Sequence, residues 1–550
     1  MSLKPMPIPP IPEETLRVAR AAFPKGSLYL RLRDELGALY EDADFAKLFP
    51  AVGQPGLPPW RLALVTVFQF LEQLSDRQAA EAVRARIDWK YALGLELTDP
   101  GFHFSALNEF RARLLAGGAE SLLLDTLLER FKSRGLVKAR GKQRTDSTHV
   151  LAAVHALHLL ELVAETLRAT LDDLAAAVPE WVREIAPRVW FERYARRMED
   201  YRLPKSKEKR EALALEIGAD GFALLDALDA ASSPAAAREV AMVETLRQVW
   251  RVHYAREDGR PRWRSAEELP PVSERLQSPY DPQAHYSTKR DQEWSGYKVH
   301  LTETCDADAA HLVTHVQTCP AMEPDMASTA SIHERLAAKG LLPAEHFVDS
   351  AYLDAHLLVQ SRRDHGICLE GPIRGVSSWQ SRSGGGYDLP HFRIDWEREQ
   401  VTCPQGKTSL SWHAAPDENG SPHIRARFSC SDCRACPARA LCTSAKAASR
   451  VVTFHGREEY EALNTARARM HDPAWQARYQ VRAGIEGTLS QGVRSLGMRR
   501  SRYIGRAKTG LQEVCIATGM NLARAVSWLD GRTRASTRVT RFAALVPQAA

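Results

Sequence analysis

Apolar residues recur at helical spacing over residues 28–136, after a proline-rich opening of residues 1–25. Within that stretch Pro58 and Pro59 open a helix predicted to run through Leu74. Ser75 with Gln78 makes a capping box for a second helix, 77–93, which Gly94 ends, and a third is predicted over 106–115 behind a Ser105 cap. At KQRTDSTHV, residues 142–150, the period switches to the alternation of a strand with Asp146 at its centre. Alanine- and leucine-rich helical segments return over 151–278. Two further strands, 297–304 and 311–318, flank the turn-forming CDADAA as a hairpin. A helix over 328–339, a strand over 345–349, a helix in SAYLDAHLLVQSRRDHG and a strand over 367–370 follow. After an irregular segment, 374–470, Asp472 and Pro473 supply the N-cap and first position of a helix. Its stripe reads Trp475, Tyr479, Arg482, Glu486, Leu489, Val493 and Leu496.

That stripe is unusual, because a core-facing stripe rarely carries Arg and Glu. Gly484, Gly487 and Gly492 also weaken the helix by roughly 1 kcal/mol each relative to alanine, which suggests close approach by another group. No acid occurs between Glu486 and Glu513, whereas Arg494, Arg499, Arg500, Arg502, Arg506 and Lys508 do. Two readings follow. One is an Arg482–Glu486 pair on a solvated helix; the other is a carboxylate beside a cationic surface, suited to metal-dependent chemistry on a polyanion. Asp146 strengthens the second, since aspartate is disfavoured in a strand centre, although a turn or edge position would accommodate it. Asp349 ends a strand just before a helix, where open α/β sheets place functional groups.

Composition narrows the class. A chain of 550 residues and 61.4 kDa, 44% hydrophobic and 26% charged, is sufficient for two to four globular domains. The net charge of +6 is concentrated in basic runs at 193–210 and 494–541, which favours an anionic partner. MSLKPMPIPPIPEET lacks the pattern of a secretory signal, and the most apolar stretch, 62–74, is interrupted by Gln69, Glu72 and Gln73, so a soluble protein is expected. The first helices form a helix-turn-helix candidate in which Arg77, Arg84, Arg86 and Lys90 could reach DNA; a bundle without groove contacts is the plain alternative. Of the nine cysteines, Cys403, Cys430, Cys433, Cys436 and Cys442 crowd one segment. Their C-x2-C-x2-C-x5-C run plus a distant cysteine suits a tetrahedral zinc site in a reducing compartment better than disulfides; spacing does not choose four ligands from five.

Three strands, a helix, a fourth strand, a helix, a fifth strand and a last helix is the order of a ribonuclease H-like fold. TDSTHV, SPYDPQAHYSTKRDQEWSGYKVHLTETCD, HFVDSAY, CRACPARALC and RAGIEGTLSQGVRSLGMRRSRYIGRAKTGLQ together resemble the DDE transposases of bacterial insertion sequences, closest to the insertion sequence 1182 group, over residues 28–525. The resemblance implies Asp146, Asp349 and Glu486 as the acid triad. Tyr479 and Arg482 match the Tyr-x2-Arg-x3-Glu signature, but the basic residue expected seven positions after Glu486 falls on Val493, with Arg494 one residue late. The relatives' C-x2-C-x5-C run matches Cys433, Cys436 and Cys442, implying Cys403 as fourth zinc ligand and Cys430 as the extra thiol.

The implied fold class is α+β with α/β character: a ribonuclease H-like catalytic core with a mixed five-stranded sheet, built from residues 141–150, 285–372 and 471–525. A helical N-terminal DNA-binding domain (1–140), a helical insertion (151–284), a cysteine-rich zinc insertion (373–470) and a disordered basic tail (526–550) complete it. The implied activity is metal-dependent cleavage at transposon ends and strand transfer of the 3′-hydroxyl, with two Mg²⁺ ions (Mn²⁺ as substitute) on the triad and a structural Zn²⁺. Tyr479, Arg482, Arg494, Arg499, Arg500, Arg502 and Lys508 would contact DNA and Tyr503 would stack on an unpaired base. The implied partners are double-stranded DNA, both terminal inverted repeats and target, and a second copy in a homodimer, in the cytoplasm at the nucleoid. A ribonuclease H-like nuclease without strand transfer and a catalytically silent, zinc-containing DNA-binding regulator are the alternatives.

Overall fold

The computed structural model describes residues 2–154, 157–198, 203–289, 292–375, 378–416, 422–444 and 449–532. The basic tail expected to be disordered lies, from residue 533 on, outside them.

A mixed sheet carries the architecture. Its strands are β1 (Lys142–Leu151), β2 (His285–Lys289), β3 (Gln292–Thr304), β4 (Val313–Pro320), β5 (Glu345–Phe347) and β6 (Cys368–Glu370). The order is β2-β3-β1-β5-β6, with β4 also paired to β3, so the sheet is six-stranded rather than the expected five. β1 is antiparallel to β3, with Asp146 opposite Leu301, and parallel to β5, which is parallel to β6. β1 is central because Gln143 to Thr148 are buried on both faces, and threonine and valine suit such a pleated, packed position. Helices Ala327–Ala338 and Ala355–His365 make the crossovers on either side of β5.

The predicted hairpin is longer than its hydrophobic pattern indicated. β3 starts at Gln292, and HYSTK adds β2, whose polar residues gave no alternation to read. Gly296, at φ +153°, lets β3 pass the end of β1 where a Cβ would collide with the Val150 carbonyl, and Trp294 then lies on the His149 ring at 5.2 Å.

The first of the predicted N-terminal helices forms at Pro59–Leu71, three residues short of the expected Leu74, and the Ser75–Gln78 capping box and a left-handed Gly94 stop are present as expected. The predicted 77–93 helix is instead two, Asp76–Ala85 and Ile87–Leu93, broken at an extended Arg86 whose guanidinium pairs with Glu72 and Asp88. The third helix, Ser105–Ala116, takes Ser105 as its first residue, with no side-chain cap. A 24-residue helix, Arg506–Leu529, runs between this bundle and the sheet. Phe68, Leu123, Val299, Leu301, Val313, Ile516 and Met520 belong to one continuous core, so bundle, sheet and C-terminal helix bury their apolar faces together.

The insertion between β1 and β2 has its own core around Leu167, Ile217, Leu246 and Trp250, within helices such as Leu159–Ala177, Lys207–Asp229 and Ala241–His253. A hairpin, Tyr254–Glu257 with Arg260–Trp263, closes it and was not foreseen from its sequence. The cysteine-bearing segment folds as a small β unit: strands Ser411–Pro416, Pro422–Arg427 and Val451–Phe454 pack Val401, Ala426, Phe428 and Phe454 inward. The chain returns through helix Arg457–Arg469 to Pro473–Tyr479, a tighter 3₁₀ turn Gln480–Ala483, and helix Gly484–Leu496. The single helix expected from the stripe is thus interrupted at Arg482.

Candidate active site

Asp146 is 9% exposed at the centre of β1. Its Oδ1 accepts the Ser147 amide at 2.8 Å and its Oδ2 accepts Arg482 Nη2 at 2.6 Å. Burial pushes its carboxyl above the ordinary range, and the Asp349 charge adds to this; Arg482, the Ser147 amide and Lys289 act against it. Asp349 lies two residues beyond β5, where its Oδ1 accepts the Ala351 amide at 2.8 Å, a local turn that fixes the carboxylate. Its Oδ2 stands 3.6 Å from Arg482 Nη2. Glu486 sits in the first turn of its helix, where the helix dipole favours an acid, and receives Arg482 Nη1 at 3.1 Å.

One guanidinium therefore touches all three carboxylates. The Arg482–Glu486 pair exists, as the plain reading required, but its cation is shared with two acids from β1 and from beyond β5. Burial works against the Arg482 charge, yet Asp146, Tyr479, Asp349 and Glu486 together hold it protonated. Three carboxylates against one cation leave a formal charge of about −2, which suits a hard divalent ion with oxygen ligands. Among the described residues, no three His, Cys, Asp or Glu side chains are arranged as a finished metal cage. The acid cluster holds Arg482 in its midst instead.

A buried network fixes the Glu486 helix behind this cluster. Glu303 on β3 is fully buried, paired to Arg144 Nη2 at 2.6 Å and Arg524 Nη1 at 2.8 Å, and accepts the Thr488 hydroxyl at 2.6 Å. Burial alone would raise its carboxyl; Arg524 and Arg144 outweigh that and hold it below 4.5. A Cβ on Gly484 would strike the Arg144 guanidinium, and one on Gly492 would meet Met498, which accounts for two of the three glycines; Gly487 faces open space. The signal for this network was present in the sequence, since Arg144 shares a strand face with Asp146 and Glu303 is a second acid within a strand.

The other predicted residues divide. Tyr479 donates to the Val348 carbonyl at 2.9 Å beside Asp349, and burial pushes its phenol up to about 12. Arg499 donates to Thr148 Oγ1 at 2.9 Å, two residues along β1 on the Asp146 face. Arg494, Arg500 and Lys508 are exposed, while Val493 packs against the core, so the signature's basic position faces inward. Arg502 donates to the Leu74 carbonyl at 2.7 Å, and the Tyr503 ring packs 6.5 Å from Phe70 with Arg111 over it, docking this segment to the N-terminal bundle. In the helix-turn-helix candidate Lys90 is 2% exposed and donates to the Asp99 carbonyl at 2.7 Å; Arg77 and Arg84 stay at the surface.

Cys403, Cys433, Cys436 and Cys442 line one cavity of about 250 Å³ together with Tyr387, Phe428 and Arg450. Cys430 is exposed and outside it. Burial raises the Cys442 thiol; the Arg450 charge opposes this, and the Cys433, Cys403 and Cys436 sulfurs add to it.

Two family models match the chain. Residues 402–526 match a model described as "Transposase DDE domain", a span that includes the clustered cysteines, Glu486 and most of the C-terminal helix. Residues 17–113 match "Transposase domain (DUF772)", within the N-terminal bundle. No curated protein matches the chain. Among the described residues no helix is long and apolar enough to cross a membrane.

Proposed function

We propose that the chain is a DDE transposase acting on DNA with divalent-metal dependence, a reading supported by the matches to transposase models over residues 402–526 and 17–113, and that Asp146, Asp349 and Glu486 form its catalytic triad. The reaction is cleavage at transposon ends followed by transfer of the freed 3′-hydroxyl into target DNA. The observation that carries this reading is the convergence of all three carboxylates on Arg482, at 2.6, 3.6 and 3.1 Å, from elements far apart in the chain. The strand order and the late Glu486 helix support a ribonuclease H-like core; the insertion sequence 1182 type is read from the sequence motifs alone.

The three carboxylates would hold the divalent ions, Mg²⁺ or Mn²⁺. When bound, these supply Lewis-acid activation of the attacking hydroxyl and charge stabilisation of the leaving oxygen in an in-line displacement. The chain's own residues do the rest. Asp146 and Asp349 are fixed by backbone amides, so their oxygens are presented without reorganisation. Arg482 offsets one of the three negative charges, and would be free to meet a phosphate oxygen where divalent ions took its place among the carboxylates. Arg499 lies along β1 from Asp146, and Arg494, Arg500 and Lys508 extend a cationic surface for the DNA backbone. Cys403, Cys433, Cys436 and Cys442 would bind a structural Zn²⁺, since four thiols around one cavity are the donor set that this ion takes. Two ends held together call for a homodimer, acting at the bacterial nucleoid in the cytoplasm.

Two alternatives are separated by the same assay. A pre-cleaved end with a free 3′-hydroxyl, incubated with target plasmid and Mg²⁺, gives joined products with the transposase. A nuclease without strand transfer gives only cut DNA, and a silent DNA-binding regulator gives neither. Absence of joined products with an intact, DNA-binding protein would remove the strand-transfer proposal.

A further inference from the structure

Glu370, the last residue of β6, is 1% exposed and takes no part in the acid cluster. Its Oε2 accepts the Trp475 indole N–H at 2.7 Å. Its Oε1 accepts Arg478 Nη2 at 2.7 Å and Arg469 Nη1 at 3.1 Å, and the Cys368 thiol donates to it at 3.2 Å. A buried carboxylate is stable only when so compensated. Its two oxygens serve two tasks that a single amide oxygen could not: one binds an indole and the other draws in two guanidiniums.

All three nitrogen donors come from the stretch that leads into the acid cluster. Trp475 and Arg478 lie on helix Pro473–Tyr479, and Arg469 ends the helix before it. Trp475 stacks on Tyr479 at 5.0 Å and 6°, and Tyr479 bonds the Val348 carbonyl next to Asp349. The Val348 amide in turn donates to the Glu370 carbonyl at 2.9 Å. Glu370 thus ties the strand end carrying Asp349 to the helix that precedes Arg482. Beyond Tyr479 the chain passes through the Gln480–Ala483 turn, which has no side-chain cap. Anchors therefore bracket that turn, Glu370 before it and Glu303 after it, with Arg144 on the Val481 carbonyl between them.

We propose that Glu370 is a positioning residue: it clamps the 473–479 helix to the ends of β5 and β6 and so holds Arg482 and Glu486 in register with Asp146 and Asp349. The catalytic part of this inference rests on the triad assignment above; the clamp itself does not.

Full-length Glu370→Gln and Arg478→Met separate the two. Arg478 is 40% exposed in its side chain, so its variant keeps the fold even if the buried substitution does not. Hydrogen exchange, without DNA or metal, is expected to quicken in peptides covering 473–486 and to stay unchanged in β1 and β3. Mn²⁺-dependent nicking of a supercoiled plasmid carrying the element's ends is expected to fall about tenfold or more in kcat, the scale of a misplaced catalytic group, at unchanged DNA affinity. The half-saturating metal concentration rises with it, which a general loss of stability would not produce. Wild-type exchange in 473–486 would overturn the clamp, and quickened exchange with unchanged nicking would overturn its role in positioning the acid cluster. Retained nicking in Asp146→Asn would instead overturn the triad assignment, while the exchange result would still report on the clamp.

Discussion

Replacing Glu303 with alanine removes a fully buried carboxylate that two guanidiniums and one hydroxyl share. Arg144, 5% exposed in its side chain, would keep the Val481 carbonyl and the His311 ring as partners but lose its counter-charge. Arg524, 19% exposed, would keep Gln491 and the His311 carbonyl. Leaving buried cations uncompensated in this way costs about 3–5 kcal/mol. Glu303→Gln, which retains an acceptor, costs less. The pH dependence follows from the sign of the shift. The carboxyl is held below 4.5 in the folded chain, so its contribution is present above the unfolded value and fades as pH falls through the folded one. Urea denaturation followed by tryptophan fluorescence should give a wild-type advantage over Glu303→Ala that is full at pH 7 and shrinks below about pH 4.5. A difference under about 1 kcal/mol at pH 7, or one that grows on acidification, would refute the assignment of Glu303 as the counter-ion of this network.

Gly484→Ala is expected to destabilise by about 1–3 kcal/mol, because the new methyl must displace the Arg144 guanidinium, whereas Gly487→Ala, facing open space, should stabilise by up to about 1 kcal/mol in the same urea assay. Arg482→Met should tighten Mg²⁺ binding in the absence of DNA, measured calorimetrically, since it removes the only cation now paired to the acid cluster among the described residues; weaker binding would mean that the arginine supports the ions rather than standing in their place. Metal analysis of purified Cys436→Ala should show zinc lost, and that of Cys430→Ala should show it kept, as only the former thiol lines the shared cavity. Tyr503→Ala should lower stability by about 1–3 kcal/mol through its lost packing on Phe70 and Arg111, seen as a lower urea midpoint.

The acids were legible because each breaks a local rule. Asp146 interrupts a β-branched strand, Asp349 follows a short apolar run, and Glu486 shares a stripe with aliphatics. Local spacing could not show that the stripe tightens at Gln480–Ala483, since steps of three and four fit both an α-helix and a 3₁₀ turn. It also missed the break at Arg86, which is set by ion pairs with Glu72 and Asp88, one of them distant in sequence. β2 escaped because HYSTK has an exposed, polar pattern with no buried face to read. Tyr503, expected to stack on an unpaired base, has its ring against Phe70 of the N-terminal bundle, a contact between distant segments that local spacing does not encode. The Glu303 and Glu370 anchors join segments more than a hundred residues apart, a pairing that only the sheet order creates.

The central claim is that Asp146, Asp349 and Glu486 act as one metal-dependent site on DNA. Its most direct test is to compare wild-type protein with Asp146→Asn, Asp349→Asn and Glu486→Gln for Mg²⁺-dependent strand cleavage at a transposon end, with DNA affinity measured on the same preparations. Loss of cleavage in all three with affinity retained is the predicted result. Cleavage surviving in any one of them would contradict it.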